Sequence, residues 1–211
     1  TSLHLKSGEI YHVYSRGNNR QRIFYDRENY YYFLNKVRQY ISPNCDILAY
    51  CLMPNHFHFL IHANRKTTFR FRHKKGLDEF SLKSPLKMTR FSKGMQMLLS
   101  SYAKGINKKY SRSGSLFRQN TKSKRTSSEF FLEDYSLQCF MYIHNNPVAA
   151  GLVQYADEWE FSSVREYIGL KNVDSFCNVK LAKQLLNLDV NEIVYLNNVE
   201  LPTEVIRKIF R

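Results

Sequence analysis

The feature that most constrains the fold is the order in which strand-like and helix-like segments alternate along the 211 residues. Residues 9–16 are rich in β-branched and aromatic side chains and end in a Gly-Asn-Asn turn, which predicts a first strand. Two short apolar runs, 46–52 and 56–62, are separated only by Met53-Pro54-Asn55 and predict adjacent antiparallel strands. The polar, basic segment 117–126 is predicted to be extended.

Three segments between and after these strands have helical periodicity. Asp26 can cap a helix over about 27–41, and a second helix is predicted over about 88–110. A third helix opens at Ser127 or Ser128 and runs to Asn145, where Pro147 closes it. The order β-α-β-β-α-β-α predicts an α+β protein with the ferredoxin-like split βαβ plan. In that plan an antiparallel sheet carries helices on one face and leaves an open active-site face.

The length favours one main core with an appendage over two ordinary domains. We predict a domain over residues 1–169 and a C-terminal extension of short helices over 170–211. Within the domain, residues from about 64 to 87 have no sustained period, so we expect a mobile basic insertion there.

The net charge of +14 is regional, because residues 64–125 contain 18 Lys and Arg against only Asp78 and Glu79. A one-sided cationic surface suits a polyanion, and nucleic acid is the expected partner. A solvated basic face that only confers solubility is the alternative. The residues expected to contact DNA are Arg16, Arg70, Arg72, Lys74, Lys75, Arg118, Lys122, Lys124 and Arg125.

The sequence contains no long apolar run and no Cys-x-x-Cys pair. We therefore expect a soluble cytoplasmic protein of the bacterial type, associated with the nucleoid when it binds DNA, and no membrane partner. Its four cysteines are expected to be reduced and mostly buried thiols.

The run 54–61 contains two histidines at alternate positions. If it forms a strand, His56 and His58 share one face while Phe57, Phe59 and Ile61 point to the helices. Two imidazoles about 6.6 Å apart along a strand can bind one metal ion. His-x-His is also compatible with two hydrogen-bonded surface histidines, and His62 is a spare ligand near the strand end.

The third predicted helix adds a hydroxyl and an amide. Tyr142 and Asn146 are four residues apart and so lie on one helix face. An Asn oxygen with two imidazoles leaves open positions on an octahedral ion such as Mg²⁺ or Mn²⁺, which could polarise a phosphate for attack by the tyrosine. Among 15 tyrosines most must be structural, so a core role for Tyr142 stays open on spacing alone.

Several motifs together resemble the HUH single-tyrosine transposases, in particular the REP-associated tyrosine transposases and related small insertion-sequence transposases. The similar segments, which fall within residues 9–169, are Tyr11-His12-Val13 with Arg16-Gly17-Asn18-Asn19, 53–58, 107–117, 142–153 and 159–167.

The resemblance implies that His56, His58 and Asn146 bind the metal and that Tyr142 is the nucleophile. It also implies cleavage and joining of single-stranded, hairpin- or repeat-containing DNA through a 5′-phosphotyrosine, by a monomer or a homodimer. The insertion at 64–87 is longer than in the family, and the extension has no recognisable motif. A non-catalytic protein that binds single-stranded DNA or RNA hairpins is the alternative.

Overall fold

The computed structural model describes residues 3–70, 88–127, 135–170 and 175–188. Four strands form one antiparallel sheet: β1 (Ile10–Arg16), β2 (Asp46–Met53), β3 (His56–His62) and β4 (Lys122–Arg125). Their order across the sheet is β2-β3-β1-β4. This is the arrangement of the split βαβ plan, so the predicted α+β class is confirmed.

Two helices pack on one face of the sheet. α1 (Arg27–Tyr40) begins where the Asp26 carboxylate accepts a hydrogen bond from the backbone amide of Asn29. α3 (Arg90–Lys109) begins where the Thr89 hydroxyl accepts one from the backbone amide of Ser92. Both helices bury their apolar sides against the face of β3 that carries Phe57, Phe59 and Ile61. In the described ranges, no helix combines the length and apolar character needed to cross a membrane.

The opposite face of the sheet, on which we predicted the active site, also carries a helix over part of its area. α4 (Tyr135–Ala149) packs there against β2 and β3. Cys139, Phe140 and Ile143 of the helix share a second apolar cluster with Cys51 and Leu60 of the strands. Because these strand residues are apolar, that face needs a cover to exclude water.

α4 continues past Pro147, so the prediction that this proline closes the helix was wrong. The chain instead turns at Gly151, whose φ of +66° lies in the left-handed region that favours glycine, and the Leu152 backbone amide donates to the Pro147 carbonyl. At the other end, Ser127 is not helical and its hydroxyl accepts a hydrogen bond from the Ile10 amide. The alternative start, Ser128, lies outside the described residues.

The first residues of the predicted mobile insertion are ordered. Asn64 caps α2 (Arg65–Thr68) through the amides of Lys66 and Thr67. The buried Thr67 hydroxyl also donates to the Asn44 carbonyl at 2.7 Å. A polar stretch without helical periodicity thus forms a short helix because its capping bonds satisfy the first amides. Residues 71–87 lie outside the described part of the chain.

The described part of the C-terminal extension packs against the main sheet. α5 (Val164–Tyr167) precedes it, and α6 (Val179–Leu186) buries Ala182 and Leu186 in the apolar cluster beneath β2. The Asn178 amide donates to the Ile47 carbonyl of β2 at 2.8 Å. One of the two predicted short helices is therefore present, and the second falls on residues outside the described ranges. The division at residue 169 stays a prediction.

The close approach of α1 and α3 depends on Gly94. A Cβ atom at this position would lie 2.2 Å from the Tyr40 carbonyl oxygen. We expect Gly94→Ala to lower the free energy of unfolding by about 1–3 kcal/mol through overpacking, although alanine is the better helix former by about 1 kcal/mol. Urea denaturation measures the change, with Ser100→Ala on the exposed side of α3 as the control. A stabilised Gly94→Ala protein would contradict the packing.

Candidate active site

The alternation of β3 places two imidazoles on the face that α4 covers. His58 is 1% exposed and His56 is half-buried. Their ring centroids are 4.9 Å apart, and the ring planes are nearly perpendicular at 88°. The apolar residues between and after them point to α1 and α3, as the sequence pattern predicted.

α4 brings the tyrosine and the asparagine to the same place. The Tyr142 ring lies edge-on to His58, with centroids 5.6 Å apart. The Asn146 side chain is close enough to affect the pKa of both the His56 imidazole and the Tyr142 phenol. Its Nδ2 donates to the Tyr142 carbonyl at 2.9 Å. The strand and the helix therefore meet in space, which is the condition that the predicted site required. The roles of the four residues stay predictions.

Two contacts of the histidine pair were not foreseen from the sequence. Nδ1 of His58 lies 2.8 Å from Nε2 of His12, which is fully buried in β1. Nδ1 of His56 lies 2.5 Å from Oδ1 of Asn55. The even spacing of His12 and Arg16 is a signal in the sequence that they share one face of β1, but only the register of β1 against β3 shows which residues become neighbours.

Burial dominates the electrostatics of the site. It lowers the pKa of His56 to about 4 and that of His58 well below the usual value, and the nearby Arg16 charge acts in the same direction on both. Burial raises the pKa of the Tyr142 phenol to about 12, while the hydrogen bond from Asn146 and the Arg16 charge oppose the rise. At neutral pH the two imidazoles are therefore neutral and the phenol is protonated.

The donor set fits a divalent ion. Two neutral imidazoles whose rings lie this close could both bind one ion through a ring nitrogen. In each ring Nδ1 is already engaged, and Nε2 is the nitrogen that could bind a metal. Among the described residues no group of three or more His, Cys, Asp or Glu could hold an ion. Asn146 supplies an amide side chain beside the two imidazoles.

The expected DNA-contacting cations fall on different faces. In the strand register, Arg16 lies opposite His56, Lys122 lies opposite Tyr14 and Lys124 lies opposite His12. Residues directly opposite each other on neighbouring strands share a face, so all three cations lie on the face of the site. In the described part of the chain none of the three forms an ion pair. Arg125 points to the opposite face and is paired with Glu9 at 3.0 Å.

The remaining expected cations are not brought to the site. Arg118 lines a cavity between α3 and the 115–121 segment. Arg70 is exposed and forms an isolated bridge with Thr89 beside α3. Arg72, Lys74 and Lys75 lie outside the described residues.

His62, the spare ligand that the sequence suggested, and several other histidines and tyrosines have structural partners. The His62 imidazole lies 3.4 Å from the Asp46 carboxylate at the far end of β3. His144 is fully buried and its Nε2 lies 2.7 Å from the Ser163 hydroxyl. Tyr102 donates to the Ile23 carbonyl, and Tyr110 donates to Asp26. All four cysteines are free thiols, three buried and Cys177 half-buried.

Comparisons with known proteins give a family match over part of the chain and a similar fold. Residues 6–70, which include β1 to β3 and the histidine pair, match the family model of IS200-like transposases. No curated protein matches the chain. A solved structure of a REP-associated tyrosine transposase bound to a REP hairpin is similar, with a TM-score of 0.53 and 14% identity over 85% of this chain and 92% of that one. The resemblance to transposases is therefore confirmed by the family pattern in residues 6–70, and the solved structure shows the same fold.

Proposed function

We propose that this protein is a metal-dependent single-stranded DNA endonuclease and strand transferase that uses Tyr142 as its nucleophile. The observation that supports the proposal is the meeting of His56 and His58 on β3 with Tyr142 and Asn146 on α4. The match of residues 6–70 to IS200-like transposases and the hairpin in the similar solved structure support a DNA substrate with a hairpin or repeat.

The proposed chemistry is two balanced transesterifications. The Tyr142 oxygen attacks a backbone phosphorus, the P–O3′ bond breaks, and the proton that leaves the phenol is balanced by one taken up at the released 3′-oxygen. The product is a 5′-phosphotyrosine. The 3′-hydroxyl of another strand then attacks this ester and restores the phenol, so the bond energy is conserved without a nucleotide cofactor.

His56, His58 and Asn146 would hold Mg²⁺ or Mn²⁺. When bound, the ion supplies Lewis-acid polarisation of the scissile phosphate. The protein residues supply the rest. Asn146, through its contact with the hydroxyl, orients the Tyr142 oxygen, and Arg16 places a positive charge near the phenol and the imidazoles.

The cations on the same face mark a path for the strand. Lys122 and Lys124 stand on the edge strand β4 beside the β1 residues that line the site, and Arg16 lies at the end of β1 next to His56. Phosphates that follow β4 toward the histidines would meet these charges in turn. Arg125, on the far side of the same strand, lies off this path.

The first test is covalent capture of DNA. Hairpin-bearing single-stranded DNA incubated with the protein and Mn²⁺ should leave a denaturation-resistant adduct. Tyr142→Phe removes the attacking oxygen and is expected to lower the yield at least 1,000-fold. His56→Ala and EDTA should also abolish the adduct while DNA binding persists. Tyr102→Phe is the matched control, because the Tyr102 hydroxyl donates a hydrogen bond to the Ile23 carbonyl in the core.

An equal adduct yield from Tyr142→Phe would remove Tyr142 from the proposal. Tight hairpin binding by the parent protein with no adduct in Mg²⁺ or Mn²⁺ would instead favour the non-catalytic hairpin-binding protein.

The rate of the covalent step should rise with pH. The phenol must lose its proton, and its pKa is raised to about 12, so the reactive fraction grows up to about tenfold per pH unit below that value. His56, with a pKa of about 4, stays neutral over this range and adds nothing to the slope. Single-turnover rates at pH 6.5, 7.5 and 8.5 with saturating Mg²⁺ measure the slope. A rate that falls as pH rises would contradict this assignment.

The strand path can be tested with two substitutions on β4. Lys122→Gln should weaken binding of single-stranded DNA and lower the slope of log affinity against log salt by about 0.7 for each lost phosphate contact. Arg125→Gln, three residues away on the opposite face, should leave that slope unchanged. Fluorescence anisotropy over a salt series measures both, and equal effects of the two variants would overturn the path.

A further inference from the structure

His12 is a buried polar residue to which the proposed chemistry gives no role. It lies in the middle of β1, is fully buried, and its Nε2 is 2.8 Å from Nδ1 of His58. The ring centroids are 5.0 Å apart and the ring planes lie at 19°, so the two imidazoles are nearly coplanar and meet edge to edge through these nitrogens. A buried imidazole in such contact with another imidazole affects what the second ring can do.

The hydrogen bond between the two rings determines which nitrogen of His58 carries a hydrogen. A neutral imidazole has one N–H and one lone pair. If Nδ1 of His58 donates to His12, the Nε2 of His58 keeps its lone pair and can bind a cation. If Nδ1 accepts, Nε2 carries the hydrogen and cannot bind one. The His12 contact therefore decides whether His58 can act as a metal ligand.

The second histidine of the pair shows the same arrangement. Nδ1 of His56 lies 2.5 Å from Oδ1 of Asn55. An amide oxygen can only accept, so Nδ1 of His56 donates and its Nε2 keeps the lone pair. Histidines that bind metals commonly donate their other N–H to a neighbouring acceptor, which sets the tautomer and the ring plane. Asn55 is such an acceptor for His56, and His12 occupies the equivalent place for His58.

We propose that His12 is a positioning residue that accepts the Nδ1 hydrogen of His58 and thereby presents the His58 Nε2 lone pair to the divalent ion. The role rests on the proposed function, because it requires an ion at His56 and His58. It adds a third histidine to the functional set, from a strand that supplies no metal ligand itself.

Titration of the DNA-free protein with Mn²⁺ tests this role without any dependence on turnover. His12→Phe keeps an aromatic ring but removes the acceptor, and should weaken Mn²⁺ binding by about 10- to 100-fold. His12→Gln restores an acceptor oxygen and should recover affinity to within about threefold of the parent. Tyr14→Phe is the control, because its ring stacks on His12 at 4.7 Å and is retained by the substitution. Parent-like Mn²⁺ affinity in folded His12→Phe would overturn the proposal.

The tautomer itself can be read in the unmodified protein, which keeps the proposal testable if His12→Phe does not fold. Long-range ¹H–¹⁵N correlation spectra with Mg²⁺ should show the hydrogen of His58 on Nδ1. Comparison with His58→Gln assigns the signal. A hydrogen on Nε2 of His58 in the Mg²⁺-saturated protein contradicts the role of His12.

Failure of this inference and failure of the proposed function give different results. If the parent forms the adduct and Tyr142→Phe does not, while His12→Phe binds Mn²⁺ as tightly as the parent, the transesterase stands and the positioning role of His12 fails. If Tyr142→Phe still forms the adduct while the Mn²⁺ affinities follow the expected order, the nucleophile assignment fails and the role of His12 at the metal stands.

Discussion

The site depends on the position of β3 in the sheet, between β2 and β1. Its side chains point alternately to the two faces of the sheet. Phe57, Phe59 and Ile61 fill the core under α1 and α3, while His56 and His58 face α4. A register slip of one residue would place both imidazoles in the apolar core and three apolar side chains in the site. The burial of the aromatic face against two helices therefore holds the histidines where chemistry is possible.

α4 both packs against the sheet and carries two of the candidate site residues. Cys139, Phe140 and Ile143 attach it to β2 and β3, and the neighbouring turns present Tyr142 and Asn146 to the histidines. The same packing removes water, which raises the pKa of the phenol and lowers that of the imidazoles. A covered face thus keeps the imidazoles neutral and the Tyr142 phenol protonated at neutral pH.

Only the folded sheet determines on which face the basic side chains lie. Lys122, Lys124 and Arg125 are close neighbours in sequence, yet the two lysines lie on the site's face and the arginine lies on the other, in an ion pair with Glu9. Arg16, from a distant part of the sequence, joins the two lysines on the same face. A surplus of positive charge in the sequence therefore indicates a polyanionic partner, whereas the contact surface depends on strand alternation.

The sequence by itself determined the element order, the capping of α1 by Asp26, the two faces of β3 and the pairing of Tyr142 with Asn146 on one helix turn. These follow from local periodicity and local hydrogen bonds, and they predicted the fold class. Spacing also named the four candidate site residues, but it left a core role for Tyr142 open, and their expected roles came from the resemblance to transposases. Only the tertiary structure decided that α4 covers the histidine face, that α4 passes through Pro147, and that His12 lies against His58. These depend on strand register and on the burial of apolar side chains from distant segments, which no local pattern contains.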